Sequence, residues 1–131
     1  MLRPVRRLFL AAIVLLAGCG GGPSDTEQVH ATVEAFGKAT AAKDYQTLCD
    51  DLLSPKLIAK LESVGLPCEV ALKQALGDVQ APALTVGEIK VDGDGATAQV
   101  NSTAQGQPPS KDILKLQRVD EKWRIASLSD E

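Results

Sequence analysis

The sequence is poor in aromatic and imidazole groups. Phe9, Phe36, Tyr45 and Trp123 are its aromatic rings and His30 its single histidine, which leaves no platform on which nucleic-acid bases could stack. Its three cysteines, Cys19, Cys49 and Cys68, are never in Cys-x-x-Cys spacing, so redox and zinc chemistry find little support. A glycine-rich phosphate loop, a serine elbow and kinase signatures are all missing. The longest apolar run, "LFLAAIVLLA", is about half of the roughly 20 residues that a membrane-spanning helix needs. Acidic residues are absent before Cys19; from there on, eleven Lys and Arg face seventeen Asp and Glu, a net charge of −6. Such a balance lacks the positive field that nucleic-acid binding requires. The length of 131 residues is that of one ordinary domain.

The apolar run sits between a basic start, "MLRPVRR", and a small-residue exit, "GCGGG". These are the three parts of an export signal. The exit resembles the bacterial lipoprotein signal, whose lipobox is a Leu, two small or apolar residues and a Cys: here Leu16, Ala17, Gly18 and Cys19. The resemblance implies a diacylglyceryl thioether on Cys19, cleavage after Gly18 and a lipidated first residue. Two or more acyl chains hold a protein stably at a bilayer where one would not. Gly20 is not Asp, so the inner-membrane retention mark of some two-membrane bacteria is absent. Residues 1–18 are therefore expected to be a lipoprotein signal peptide, 19–24 a flexible Gly/Ser tether and 25–131 a single domain on the outer side of the cytoplasmic membrane.

Export bears on the other two cysteines. Cys49 and Cys68 form an even pair in a compartment outside the reducing cytoplasm, and a structural disulfide is the expectation. Closing a loop of that length would stabilise the fold by about 3 kcal/mol. Two free thiols, or a redox couple, is the competing reading.

Apolar spacing organises the rest. Ser24 or Asp25 caps a helix running to about Ala42, with Val29, Val33, Phe36 and Thr40 on one face. A short second helix starts at Asp44 with Tyr45, Leu48 and Leu52 on one side. Ser54 and Pro55 open a third, to about Val64, and Pro67 a fourth, through Leu76. After Pro82 the apolar period falls to two. "ALTVGEIKV" slips phase at Gly87, which predicts a bulge; "DGDG" is a hairpin turn. "ATAQVNST" follows, then "AQGQPPS" as a longer connection, and "DILKLQRV" and "WRIASL" as a second hairpin. The fold class is α+β, with N-terminal helices packed on one face of a four-stranded antiparallel sheet.

A helix opening the domain, "AAKDY" running into "LLSP", and closing strands ending "EKWRIASL" resemble the nuclear transport factor 2-like (NTF2-like) superfamily, in its ketosteroid isomerase and lumazine-binding-like branch, and more narrowly its domains of unknown function on bacterial lipoproteins. The resemblance implies a cone-shaped cavity between helices and sheet. The superfamily's short early strands are replaced here by a cysteine-stapled helical stretch. Its members include isomerases, dehydratases and cyclases beside proteins with no activity, so the fold alone does not settle function.

Residues expected to face the cone are Leu84, Val86, Ala96, Ala98, Val100, Leu114, Leu116, Trp123 and Ile125; none is ionisable. Gln99, Asn101, Lys115 and Gln117 fall on the solvated face. If the cone is open, Phe36, Tyr45, Val86, Val100, Leu116 and Trp123 are its expected lining, with Tyr45 and Trp123 equally suited to filling core. His30 lies at the edge of the helix stripe with no nucleophile near it, as a surface residue does. Asp50 and Asp51 point about 100° apart on a helix and cannot share one site. Asp92 and Asp94 lack the rest of a calcium loop. The chain thus reads as a lipid-anchored envelope protein whose domain binds an apolar small molecule or an envelope protein, with no catalytic residue, metal or cofactor and with homodimerisation through the open sheet face compatible. An isomerase- or dehydratase-type enzyme using the cone is the alternative; an Asp or His in the pocket beside Tyr45 would favour it.

Overall fold

A computed structural model of the chain describes residues 22–128. The expected signal peptide and the lipidation site Cys19 lie outside the described residues. Helices come first: α1 (Asp25–Ala42), α2 (Tyr45–Thr47), a π-helical turn (Leu48–Leu52), α3 (Pro55–Glu62) and α4 (Cys68–Leu76). Four strands follow: β1 (Ala83–Asp92), β2 (Gly95–Ala104), β3 (Gln107–Val119) and β4 (Lys122–Ser127). They form one antiparallel meander in the order β1-β2-β3-β4. No helix among the described residues is long and apolar enough to cross a membrane.

The start of α1 is fixed by Ser24, whose extended backbone lets its Oγ accept the Glu27 N–H at 3.2 Å. Its stripe buries Val29 and Val33 completely against the sheet. Gly37 lies where α1 crosses β1. A Cβ there would stand 3.3 Å from the Cβ of Leu84, so the glycine's cost in helix propensity is offset by close approach of helix to strand. The helix ends at Lys43, in the left-handed region at φ 55°, and the Lys43 ammonium donates to the Gly77 carbonyl at the end of α4 (2.7 Å).

The expected second helix is instead a three-residue turn that widens into a π turn. The Leu53 N–H donates to the Leu48 carbonyl, five residues back, at 2.9 Å. Leu48, Cys49, Leu52 and Leu53 are all buried by this wide turn, while Asp50 and Asp51 remain exposed. Arg124 on β4 donates to the carbonyls of Asp50 (3.0 Å) and Leu53 (3.4 Å), satisfying groups a helix end leaves open. Ser54 then caps α3 while itself only 1 % exposed. Its Oγ accepts from the Leu57 N–H at 3.1 Å and its own N–H donates to the Ile125 carbonyl at 2.8 Å. The helical layer is thereby hydrogen-bonded to β4. α3 stops at Glu62, two residues before the expected Val64, in a turn closed by Gly65 at φ 85°. Pro67 serves as the extended cap of α4. A disulfide joins Cys49 in the π turn to Cys68, the first residue of α4, with Cα atoms 6.1 Å apart.

In the sheet, Val86 pairs with Val100 and Ile89 with Ala98, so Gly87 and Glu88 together oppose Gln99. This is the expected bulge. Asp120 and Glu121 form a two-residue turn with both φ angles positive, at 50° and 66°, the conformation that matches the right-handed twist of a hairpin. One expectation fails: "AQGQPPS" is no long connection. β2 continues to Ala104, turns on Gln105 and Gly106 (φ 78°), and β3 begins at once at Gln107. The pairing shifts between Ser102 and Ala104, and this bulge takes up Pro108 and Pro109. β4 pairs with β3 only from Lys115 onward, so among the described strands the prolines lie on an edge where no ladder donor is needed. At the other end of the sheet, Arg118 stacks 4.7 Å over the Trp123 ring and pairs with Asp25 (2.7 Å) and Asp94 (3.8 Å). The buried core runs from Val29 to Ile125, so core, sheet and disulfide all close within residues 22–128.

Candidate functional site

Between the helical layer and the far half of the sheet lies a cavity of about 260 Å³, open on one side. α1 contributes Phe36, Gly37 and Thr40 to its wall, the π turn and its exit Leu48 and Leu53, and α4 Leu72 and Leu76. Leu84, Val100, Leu114 and Leu128 close it from the sheet side. Its walls are apolar because each strand places alternate residues inward, and on β2 and β3 Ala98, Val100, Leu114 and Leu116 are buried on that face. Engineered apolar cavities of about 150 Å³ hold benzene; by proportion this one holds a molecule of about ten non-hydrogen atoms.

The rim is different. Val100 pairs with Asp112 and Ser102 with Ser110, so all four side chains project from the inner face next to one another. The hydroxyls of Ser102 and Ser110 are 2.7 Å apart; Ser110 donates to Asp112 Oδ2 at 2.9 Å, and Ser102 reaches the same oxygen at 3.4 Å. Asp112 is half-buried and is the one ionisable side chain in the cavity wall. Among the described residues no Lys or Arg forms an ion pair with it.

Asp112 corrects the expectation that no inward position is ionisable. It shares the parity of Leu114 and Leu116, but it is the first residue of the expected strand "DILKLQRV", with no inward neighbour before it to mark its face. Extending "DILKL" backward by its own alternation through Ser110 would have found the cluster. Of the expected lining residues, Phe36 and Val100 are in the wall, whereas Tyr45, Val86, Leu116 and Trp123 are not. Trp123 is 4 % exposed and Leu116 3 %, both in the core toward the opposite end of the sheet; Tyr45 and Val86 are half-buried against that core. Tyr45 Oη and Trp123 Nε1 are buried without a hydrogen-bond partner among the described residues.

The remaining candidates are scattered. His30 is exposed on α1 and stands 3.7 Å from Glu34, one turn on. Asp92 and Asp94 are exposed in the first hairpin. Asp44 has its carboxyl held below the ordinary 3.8 by the hydroxyl of Thr47 and then by the Thr47 N–H, both of which it accepts at the start of α2. No group of three or more metal-ligating side chains comes together among the described residues.

No protein-family model matches the sequence, and no curated protein matches it. Solved structures do match. A protein from Kribbella flavida is 15 % identical, with 80 % of this chain and 88 % of that one covered and a TM-score of 0.56. A de novo designed NTF2-fold protein is 15 % identical over 83 % and 89 % of the two chains, with a TM-score of 0.54. An NTF2-like protein of unknown function from Silicibacter pomeroyi is 17 % identical over 76 % and 88 %, with a TM-score of 0.53. The fold of this chain is therefore NTF2-like; identities this low speak to the fold alone.

Proposed function

We propose that the chain is an envelope lipoprotein, anchored through Cys19, whose NTF2-like domain binds a small, largely apolar molecule in the cavity and does not transform it. The cavity itself carries this reading. A concave apolar volume with one polar rim is the usual form of a small-molecule site, and a domain folded only for stability fills such a space with side chains. The lipobox supports the anchor, and the Gly/Ser-rich stretch after Cys19 suits a tether between lipid and domain.

The isomerase- or dehydratase-type alternative rests on Asp112. A carboxylate beside an apolar cavity is the kind of group that can take a proton from a substrate. Acid and base chemistry of that type uses a second titratable group tuned apart from the first. Here the neighbours of Asp112 are two serines, and Tyr45 is outside the wall. The non-catalytic reading is favoured.

The test is a series of straight-chain alkanols against purified residues 22–131 by calorimetry. Each added methylene that enters the cavity contributes about 0.8 kcal/mol, which is roughly a fourfold gain in affinity per carbon. Affinity should climb and then flatten once the molecule exceeds about ten non-hydrogen atoms, and Leu76→Trp, which fills the volume, should abolish binding. Affinity that does not change with chain length, or that survives Leu76→Trp, would refute the cavity as the site. The anchor is checked separately by the mass and membrane retention of the Cys19→Ala chain, which should lose both the lipid increment and the membrane association.

A further inference from the structure

We infer that the cavity selects molecules whose polar end donates hydrogen bonds, alkyl amines first and alcohols next, and rejects carboxylates; this rests on the cavity reading above. The hydrogen-bond count at the rim is the reason. Ser110 spends its proton on Asp112 Oδ2, and Ser102 spends its own on Ser110 or on the same Oδ2. With both hydroxyl protons committed inside the cluster, what the cluster itself presents to the cavity are acceptors only: Asp112 Oδ1 and the spare lone pairs of the two serines. A bound molecule must supply the donor. An ammonium does so with a charge-assisted bond and a hydroxyl with a neutral one, whereas a carboxylate brings a second acceptor and a second negative charge.

The charges around the cluster point the same way. Asp112 is the single ionisable group of the wall, and no cation among the described residues pairs with it. Lys111 and Lys115, its neighbours on β3, are exposed, and the odd spacing puts them on the opposite face of the sheet. Asp112 is half-buried, and partial desolvation at the rim enlarges the difference between an opposite and a like charge. Of the other polar lining residues, Thr40 donates its hydroxyl to the Phe36 carbonyl, and Thr103 and Gln107 are exposed at the mouth; the rest of the wall is apolar, so the body of the molecule is apolar and the specificity lies at the polar end.

The experiment uses octylamine, octanol and octanoate against residues 22–131, near neutral pH and at fixed ionic strength, by calorimetry. The three share an alkyl body that fits the volume and differ in head group. Octylamine should bind tightest, octanol next, and octanoate about tenfold or more weaker than octanol. Asp112→Asn keeps the shape and removes the charge, so the ratio of amine to carboxylate affinity should fall at least about tenfold while octanol changes little. Ser110→Ala keeps the charge and should keep the ratio. Asp94→Asn, in the exposed hairpin, should leave all three affinities unchanged and so separates this site from the general acidity of the domain. Octanoate binding as tightly as octanol, or a ratio indifferent to Asp112→Asn, would overturn the selectivity and leave the cavity reading standing. Failure of all three molecules to bind would sink both.

Discussion

Reducing the Cys49–Cys68 disulfide should cost this domain a large part of its stability, and the size of the loss follows from the loop it closes. The two cysteines are 19 residues apart in sequence. For a loop of about 20 residues the chain-entropy relation gives about 11 cal/mol/K, or about 3 kcal/mol at 25 °C. Domains of roughly a hundred residues unfold with an entropy of about 0.2 kcal/mol/K, so the melting temperature should fall by roughly 15 °C. Marginal stability is typically about 5–15 kcal/mol, and a domain with this loss remains folded only if it begins above the bottom of that range. Both cysteines are buried, at 8 % and 7 % exposure, and as thiols they still pack as small hydrophobes. Reduction of the unmodified chain therefore isolates the cross-link. The double variant Cys49→Ala, Cys68→Ala removes packing too and should lose roughly 1 kcal/mol more per site. The assay is thermal unfolding followed by circular dichroism, with and without a phosphine reductant. Because the effect resides mainly in the unfolded chain, stopped-flow refolding should slow more than unfolding accelerates. A reduced protein melting within about 3 °C of the oxidised one would refute the reasoning, since the π turn and α4 would then be holding the loop closed without the bond.

Three further outcomes are expected. Ser54→Ala removes a buried cap from α3 and should destabilise by about 1–2 kcal/mol in urea titration, whereas Ser54→Thr should recover part of it; equal losses for both would show that volume, not the cap, matters. Glu121→Gly relieves a non-glycine residue at φ 66° and should raise stability by about 1 kcal/mol; a lower midpoint would mean that the side chain outweighs the backbone cost. Asp44, whose folded-state value is lowered by its bonds to Thr47, contributes stability that is present above its ordinary 3.8 and is lost as pH falls through the lower folded value. Melting temperatures of the wild type and Asp44→Asn should thus converge in acid and separate above about pH 4; a gap independent of pH would remove the charge from the account.

The elements that could be read from the sequence are those whose cause is local. The cap at Ser24, the stripe of Val29 and Val33, the bulge at Gly87 and the DGDG turn each depend on a few neighbouring residues, and the structure places all of them as expected. The disulfide was legible for another reason: two cysteines remained once Cys19 was set aside. What was misread depends on partners distant in the chain. The π turn persists because Arg124, more than 70 residues away, takes the carbonyls of Asp50 and Leu53. The backward extension of β3 across Pro108 and Pro109 is tolerated because β4 stops pairing at Lys115, which no local pattern announces. Proline there reads as a loop until the neighbouring strand is known to be absent. The same error concealed Asp112, so the most chemically distinctive residue of the cavity was missed through a boundary and not through its type.

The two ends of the sheet answer different demands, and the sequence separates them cleanly. Near the β1–β2 hairpin the core is sealed. Arg118 covers Trp123 and ties Asp25, the first residue of α1, to Asp94 in the turn, so the start of α1 is held in place. Twelve residues further along α1, or about 18 Å at 1.5 Å per residue, Phe36 and Gly37 meet the cavity. Here side chains shorten: Gly37 on the helix, Ala83 and Ala104 on the strands, and Ser102 and Ser110 where a large apolar residue would have filled the gap. Large apolar residues at the two serine positions would gain burial and remove the cavity, whereas at Gly37 a side chain would meet Leu84. Small and polar ones keep it open at a cost in packing, and a domain selected for stability alone would have no reason to carry that cost on one end and not the other.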